Sequence, residues 1–221
     1  MIRFKQYISE GVNDPAIFKA IFLAGGPGSG KSFIVGQTAL TALGMRVVNS
    51  DDAFENAMKK AGMEMNPENI FSVKGQEMRG RAKALTGKKQ ELYLKGRLGI
   101  VIDGTGRDYE KIKKQSVELQ RLGYDVAMIF VNTDKETALA RNRARARSLP
   151  DAEVAQMWQA VQNNIGKFNG HFGRNFIVLD NSDGADWKRG TQRGYKWAAK
   201  FTRQAPTKPV AKKWIANEKN R

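Results

Sequence analysis

The chain has 221 residues, 41% of them hydrophobic, and a formal net charge of +16, which is enough apolar material for one sizeable core and too little length for two full domains. It contains no cysteine and a single histidine, His171, which excludes disulfides, thiolate metal sites, a cysteine nucleophile and a histidine-rich metal cluster. No apolar run approaches the roughly 18 residues of a membrane span, so a soluble chain in the cytoplasm is expected.

Apolar runs predict strands over 17–24, 46–49, 99–102, 125–131 and 176–179. Helical patterns fall between them, over 31–43, from about Asp52, over 69–95, 109–122, 135–147 and 151–167. Thr133 and Asp134 suit the cap of the 135–147 helix, and Ser148 and Pro150 punctuate the start of the next. Short strands alternating with helices predict an α/β fold, a parallel five-stranded sheet with helices on both faces.

The positive charge is unevenly placed. From Lys188 to Arg221 there are eleven Lys and Arg against one acid, Glu218, so this segment carries +10 and the preceding residues +6. Trp187, Tyr195, Trp197, Phe201 and Trp214 lie among these cations. The pattern predicts a helix docked on the body up to about Gln204, then an extended or mobile end beyond Pro206. Aromatics interleaved with cations also suit stacking on nucleic-acid bases, so nucleic acid is a possible partner of the basic tail. The expected division is 1–16 as an amino-terminal arm, 17–186 as the main domain and 187–221 as the basic segment.

Gly25, Gly26, Pro27, Gly28, Ser29, Gly30, Lys31 and Ser32 read GGPGSGKS, between a predicted strand and a predicted helix. That is G-x-x-x-x-G-K-[ST] in the context that gives the pattern a mechanism. Glycines let consecutive N–H groups converge on a phosphate chain, and the helix amino terminus adds positive potential. Lys31 would neutralise the β- and γ-phosphates of ATP and the Ser32 hydroxyl would hold Mg²⁺. Asp103 ends the third strand in GIVIDGTGRD, where a second magnesium-associated carboxylate or a simple turn cap is expected.

Asp51 and Asp52 follow the second strand in VVNSDD. Carboxyl ends of parallel strands meet at the ligand crevice, so Ser32, Asp51 and Asp103 can converge, one carboxylate taking a proton from an acceptor hydroxyl while another organises magnesium. Asp52 suits a helix cap. Arg141, Arg143, Arg145 and Arg147 stand in ALARNRARARS; at helical spacing Arg141 and Arg145 share one face and Arg143 and Arg147 another. Such arginines stabilise a transferring phosphoryl group, or line a solvated basic helix. Lys74, Arg79, Arg81 and Lys83 favour an anionic acceptor.

Together these motifs resemble P-loop kinases of the polynucleotide kinase and zeta toxin group, over roughly 17–180. VIDGTGRD is similar to the zeta toxin segment that contacts the acceptor, which implies substrate contacts for Asp103, Thr105 and Arg107. NSDD is similar to the segment that carries the catalytic base, which implies that role for Asp51. ARNRARARSLPDAEV resembles the arginine-bearing lid, which implies catalytic roles for Arg141 and Arg145. The resemblance implies a P-loop NTPase kinase-like fold and phosphorylation of a hydroxyl of a nucleotide sugar, nucleoside or polynucleotide by ATP and Mg²⁺. The region from Phe54 to Lys95 carries no motif that names the acceptor.

MIRFKQYISEG also resembles the capsid-targeting leaders of T-even-like bacteriophage internal proteins, cleaved after a Glu such as Glu10. A leader of that kind implies a mature protein that begins at Gly11 and is packaged in the head with its basic tail facing DNA. The alternative to a kinase is a DNA-binding packaged protein whose nucleotide fold is structural or vestigial. An ordinary amphipathic first helix is the simpler reading.

Overall fold

The computed structural model describes residues 10–145 and 148–220. The leader expected over Met1–Glu10 falls almost wholly outside them; Glu10–Asn13 forms a short helical turn.

Five strands, β1 (Lys19–Ala24), β2 (Arg46–Val48), β3 (Ile100–Asp103), β4 (Asp125–Asn132) and β5 (Phe176–Asp180), form a parallel sheet in the order β2-β3-β1-β4-β5. Every residue of β1 is buried. Side chains alternate across a strand, so Ala20, Phe22 and Ala24 join one core with Met128, Phe130 and Phe168. Ile21 and Leu23 join the other, with Ile34, Ile129, Leu179 and Phe201. Burial on both faces is why β1 reads as an unbroken apolar run rather than an alternating one.

The helices are α1 (Lys31–Gln37), α2 (Ser50–Lys60), α3 (Pro67–Phe71), α4 (Val73–Lys95), α5 (Tyr109–Arg121), α6 (Lys135–Arg143), α7 (Asp151–Gln162), α8 (Ile165–Phe172), α9 (Trp187–Arg203) and α10 (Pro209–Lys219). None is long and apolar enough to cross a membrane, among the described residues. Several are shorter than the sequence suggests, each for a local reason. α1 stops at Gln37 because Ala39 takes a left-handed φ of 46°, and a 3₁₀ turn, Leu40–Leu43, follows with Leu40 buried. The 69–95 region is two helices, broken where Ser72 turns extended and its Oγ accepts a hydrogen bond from Gly75 N–H at 3.0 Å. The 151–167 pattern splits at Asn164, whose side chain donates to the Gly106 and Arg107 carbonyls instead of continuing one straight helix.

The largest correction concerns the end of the chain. α9 docks as expected, burying Ala198 and Phe201, and its exposed residues include Arg189, Arg193, Lys196, Lys200 and Arg203. Beyond Pro206, however, the chain is the ordered helix α10, with Pro209 in its first turn. Pro is preorganised for that position, and Ala211, Trp214 and Ile215 recur at i, i+3 and i+4 to make a stripe against the core. Trp214 meets Phe18 edge to face at 5.5 Å.

The link between α9 and α10 is pinned from below. Lys19, 1% exposed, donates to Asp125 Oδ2 at 2.6 Å, and the same carboxylate accepts from the backbone N–H and the hydroxyl of Thr207. Removing one partner of a buried pair leaves the other charge uncompensated. Asp125→Ala is therefore expected to lower unfolding free energy by about 3–5 kcal/mol, read by chemical denaturation; a loss below about 1 kcal/mol would contradict this role.

Candidate active site

β1 delivers the chain straight into the glycine loop. Gly28 and Gly30 have φ of 73° and 77°. A Cβ on Gly28 would lie 2.6 Å from the Ala138 carbonyl oxygen, and one on Gly30 2.3 Å from Asn181 Nδ2, so both positions need glycine for conformation and for space. The loop is held from outside: the Ser29 carbonyl accepts from Asn181 Nδ2 at 2.8 Å and from Thr133 Oγ1 at 3.4 Å. Trp158 Nε1 in turn donates to the Thr133 carbonyl at 2.7 Å.

The loop borders a cleft of about 680 Å³ with Asp51, Asp103, Asn142 and Arg145 among its walls. Lys31 Nζ donates to the Gly25 carbonyl at 2.7 Å. Burial pushes this ammonium below the usual lysine range, against the pull of Asp103 and Asp51 and helped by Arg145. Asp103 is the counterpart: burial raises its carboxyl above the usual range, opposed by Lys31 and aided by Asp51 and Asp52. Its Oδ2 accepts from Asn49 Nδ2 at 3.1 Å, while Oδ1 is buried with no hydrogen-bond partner.

That orphaned oxygen and the exposed Ser32 hydroxyl are hard oxygen donors of the kind Mg²⁺ takes. Among the described residues no cluster of three or more His, Cys, Asp or Glu would form an all-protein metal cage. Mg²⁺ ordinarily takes one or two protein oxygens and completes its shell from water and substrate phosphate. The residues present fit that ion.

Asp51 also lies on the cleft, in the first turn of α2. The cap of α2 is Asn49, whose side chain accepts from Asp51 N–H at 2.8 Å; Asp52, expected to cap, is a first-turn residue instead. Asp134 caps α6, accepting from Thr137 N–H at 2.7 Å. The arginines divide differently from the helical-face expectation, because α6 ends at Arg143. Asn142 folds the chain back by bonding both the N–H and the C=O of Leu149, and Arg145, past the helix end, lines the cleft. Arg141 donates to Asp183 at 2.7 Å and to the Gly28 carbonyl at 3.5 Å, so it braces the outside of the loop. Arg143 pairs with Asp151, and Arg147 lies outside the described residues.

A second recess of about 350 Å³ opens between α4 and the ends of β2 and β3, with Lys83, Thr86 and Gln90 of α4 on one wall. Lys31, Asn49, Asp51 and Asp103 line both recesses. Thr105 borders the second recess and also a smaller one of about 280 Å³ under β3, where Arg107 lies. Asn49, Thr86, Gln90, Asn142 and Asn181 escaped the sequence reading. Thr86 and Gln90 were findable, since they follow Lys83 at i+3 and i+7 on one helical face; Asn181 follows β5 at the crevice edge where parallel strands end.

Residues 21–163, well over half of the chain, match the family model described as an AAA domain. The chain belongs to that AAA domain family. Its fold is the P-loop kinase-like one. No curated protein matches it in sequence. Among solved structures, the AvrRxo1-ORF1:ORF2 complex with ATP has a TM-score of 0.60 at 16% identity, covering 96% of this chain and 74% of that one. The PezAT toxin–antitoxin system of Streptococcus pneumoniae has a TM-score of 0.53 at 13% identity, covering 90% and 96%. A candidate kinase from Chloroflexus aurantiacus has a TM-score of 0.54 at 12% identity, covering 80% and 97%. At these identities the likeness is one of fold.

The raised Asp103 sets a pH signature for this P-loop domain. A carboxyl held above its unfolded value of 3.8 destabilises the folded state once ionised, a cost present above the folded pKa and relieved as pH falls toward the unfolded one. Asp103→Asn should therefore raise the Tm of the ligand-free protein at neutral pH, with the gain shrinking as pH is lowered toward 4. A gain that persists unchanged to acid pH, or a loss at neutral pH, would contradict the burial cost.

Proposed function

We propose that the protein is an ATP- and Mg²⁺-dependent phosphotransferase that moves a γ-phosphoryl group to the hydroxyl of an anionic acceptor. The observation that carries this reading is the sharing of Lys31, Asn49, Asp51 and Asp103 by two recesses. One recess is bounded by the glycine loop, which suits a polyphosphate, and the other by Lys83, Thr86 and Gln90, which suits a polar, negatively charged acceptor. A hydrolase needs only water at that boundary and has no use for the second recess. A vestigial nucleotide fold has no reason to keep the ammonium, the hydroxyl and both carboxylates together.

In this reading the loop amides and Lys31 hold the β- and γ-phosphates, and Ser32 and Asp103 hold the metal. Mg²⁺ held there would supply neutralisation of the phosphate charge. Asp51 accepts the proton of the acceptor hydroxyl as its oxygen bonds to the γ-phosphorus and the bond from that phosphorus to the β–γ bridging oxygen breaks, releasing ADP. Arg145 closes on the equatorial oxygens, and Arg141 keeps the loop in register from outside. Thr105 borders the acceptor recess, which supports a contact with the acceptor, while Arg107 lies in the adjoining recess under β3. Of the nucleotide sugar, nucleoside and polynucleotide acceptors that the resemblance implies, the nucleotide sugar and the polynucleotide carry the negative charge this recess suits.

Asp51→Asn is expected to lower γ-phosphoryl transfer by about 10²- to 10⁴-fold, the usual worth of a general base, with ATP affinity nearly unchanged. Transfer rates beside equilibrium titration of ATP check this. Loss of both together would remove Asp51 from the proton-accepting role.

A further inference from the structure

Asp51 follows β2 and Asp103 ends β3, and these strands lie on one side of β1 in the sheet. A nucleotide whose terminal phosphate points toward those carboxylates has its base at the opposite end, toward β4 and β5. Two aromatic side chains stand on that side. Phe33 is in the first turn of α1, directly after Ser32, and lines the phosphate cleft. Trp187 is the first residue of α9, which follows β5.

Their rings meet edge to face, with centroids 5.2 Å apart and planes at 72°. Phe33 and Trp187 nevertheless remain 43% and 39% exposed, while Ile34 beside Phe33 is in the core. The pair thus forms an open aromatic corner rather than part of the packing. Lys188 Nζ lies 5.7 Å from the centre of the Trp187 ring, which adds positive charge close to where a nucleotide would leave the loop.

We infer that Phe33 and Trp187 form the platform on which the nucleobase of the donor stacks, one ring taking its face and the other its edge. This rests on the nucleotide-donor reading above and adds how the base is held. Stacking uses the π-face that every base has, so the corner recognises an aromatic base without demanding adenine. ATP and GTP are both donors in this account, and their affinities fall together when the corner is lost.

The test is a titration of the full chain with MgATP, MgGTP and inorganic tripolyphosphate, for the wild type, Phe33→Ala, Trp187→Ala and Trp187→Phe. Both alanine variants should weaken ATP and GTP by about 5- to 150-fold, the range measured for removal of one aromatic under one base. Tripolyphosphate should bind all four proteins alike, and Trp187→Phe, which keeps an aromatic face, should retain most of the ATP affinity. Unchanged ATP affinity in both alanine variants, or an equal loss of tripolyphosphate, would overturn the platform. Failure of the wild type to bind tripolyphosphate would overturn the donor reading itself, and the platform with it.

Discussion

A lysine ammonium at the start of α1 and an aspartate carboxylate at the end of β3 are both partly withdrawn from water, and the carboxylate keeps one oxygen without a partner. Everything around Lys31 and Asp103 serves to keep them there. β1 and β3 are adjacent and in register, Leu23 opposite Asp103, so the lysine of the loop leaving one strand faces the acid ending the other. Charged groups in such a place are costly unless compensated. A phosphate chain and a divalent cation are the kind of compensation that these residues fit.

The central strand is anchored at both ends. At its start, Lys19 is buried against Asp125, its register partner on β4, and that carboxylate fixes Thr207 and so the path between the last two helices. At its finish the loop is clamped through Ser29 by Asn181 and Thr133, from the ends of β5 and β4. The carboxy-terminal segment is thus part of the scaffold: α9 backs the core beneath α1, and α10 covers Phe18. The same segment carries Trp187, whose ring meets Phe33 on the cleft wall, so the basic end of the chain touches a cleft residue as well as the core.

The sheet was legible because each strand is a short apolar run between helical patterns, and all five are found within two residues of their expected limits. The glycine loop was legible because spacing, preceding strand and following helix all agree. Helix ends were harder, since they depend on single side chains such as Ser72, Asn142 and Asn164 turning onto nearby backbone, a tertiary choice that periodicity does not report. α10 was hidden by composition: proline and lysine suggest a loose end, and only the i, i+3, i+4 spacing of Ala211, Trp214 and Ile215 marks a buried stripe. Arg141 and Arg145 looked equivalent on a continuous helix and are not, because the helix ends between them. The clustering of Lys31, Asp51 and Asp103 followed from the rule that parallel strands end at one crevice; Thr86 and Gln90 come from α4, which no motif connects to that crevice.

The most direct test is to incubate the protein with γ-labelled ATP and Mg²⁺ beside nucleosides, nucleotide sugars and 5′-hydroxyl oligonucleotides, with Lys31→Ala in parallel. Two recesses meeting at Lys31, Asn49, Asp51 and Asp103 predict label on one acceptor class and none with the variant. Release of label only as free phosphate, at a rate no acceptor alters, would contradict phosphoryl transfer and make the protein a hydrolase.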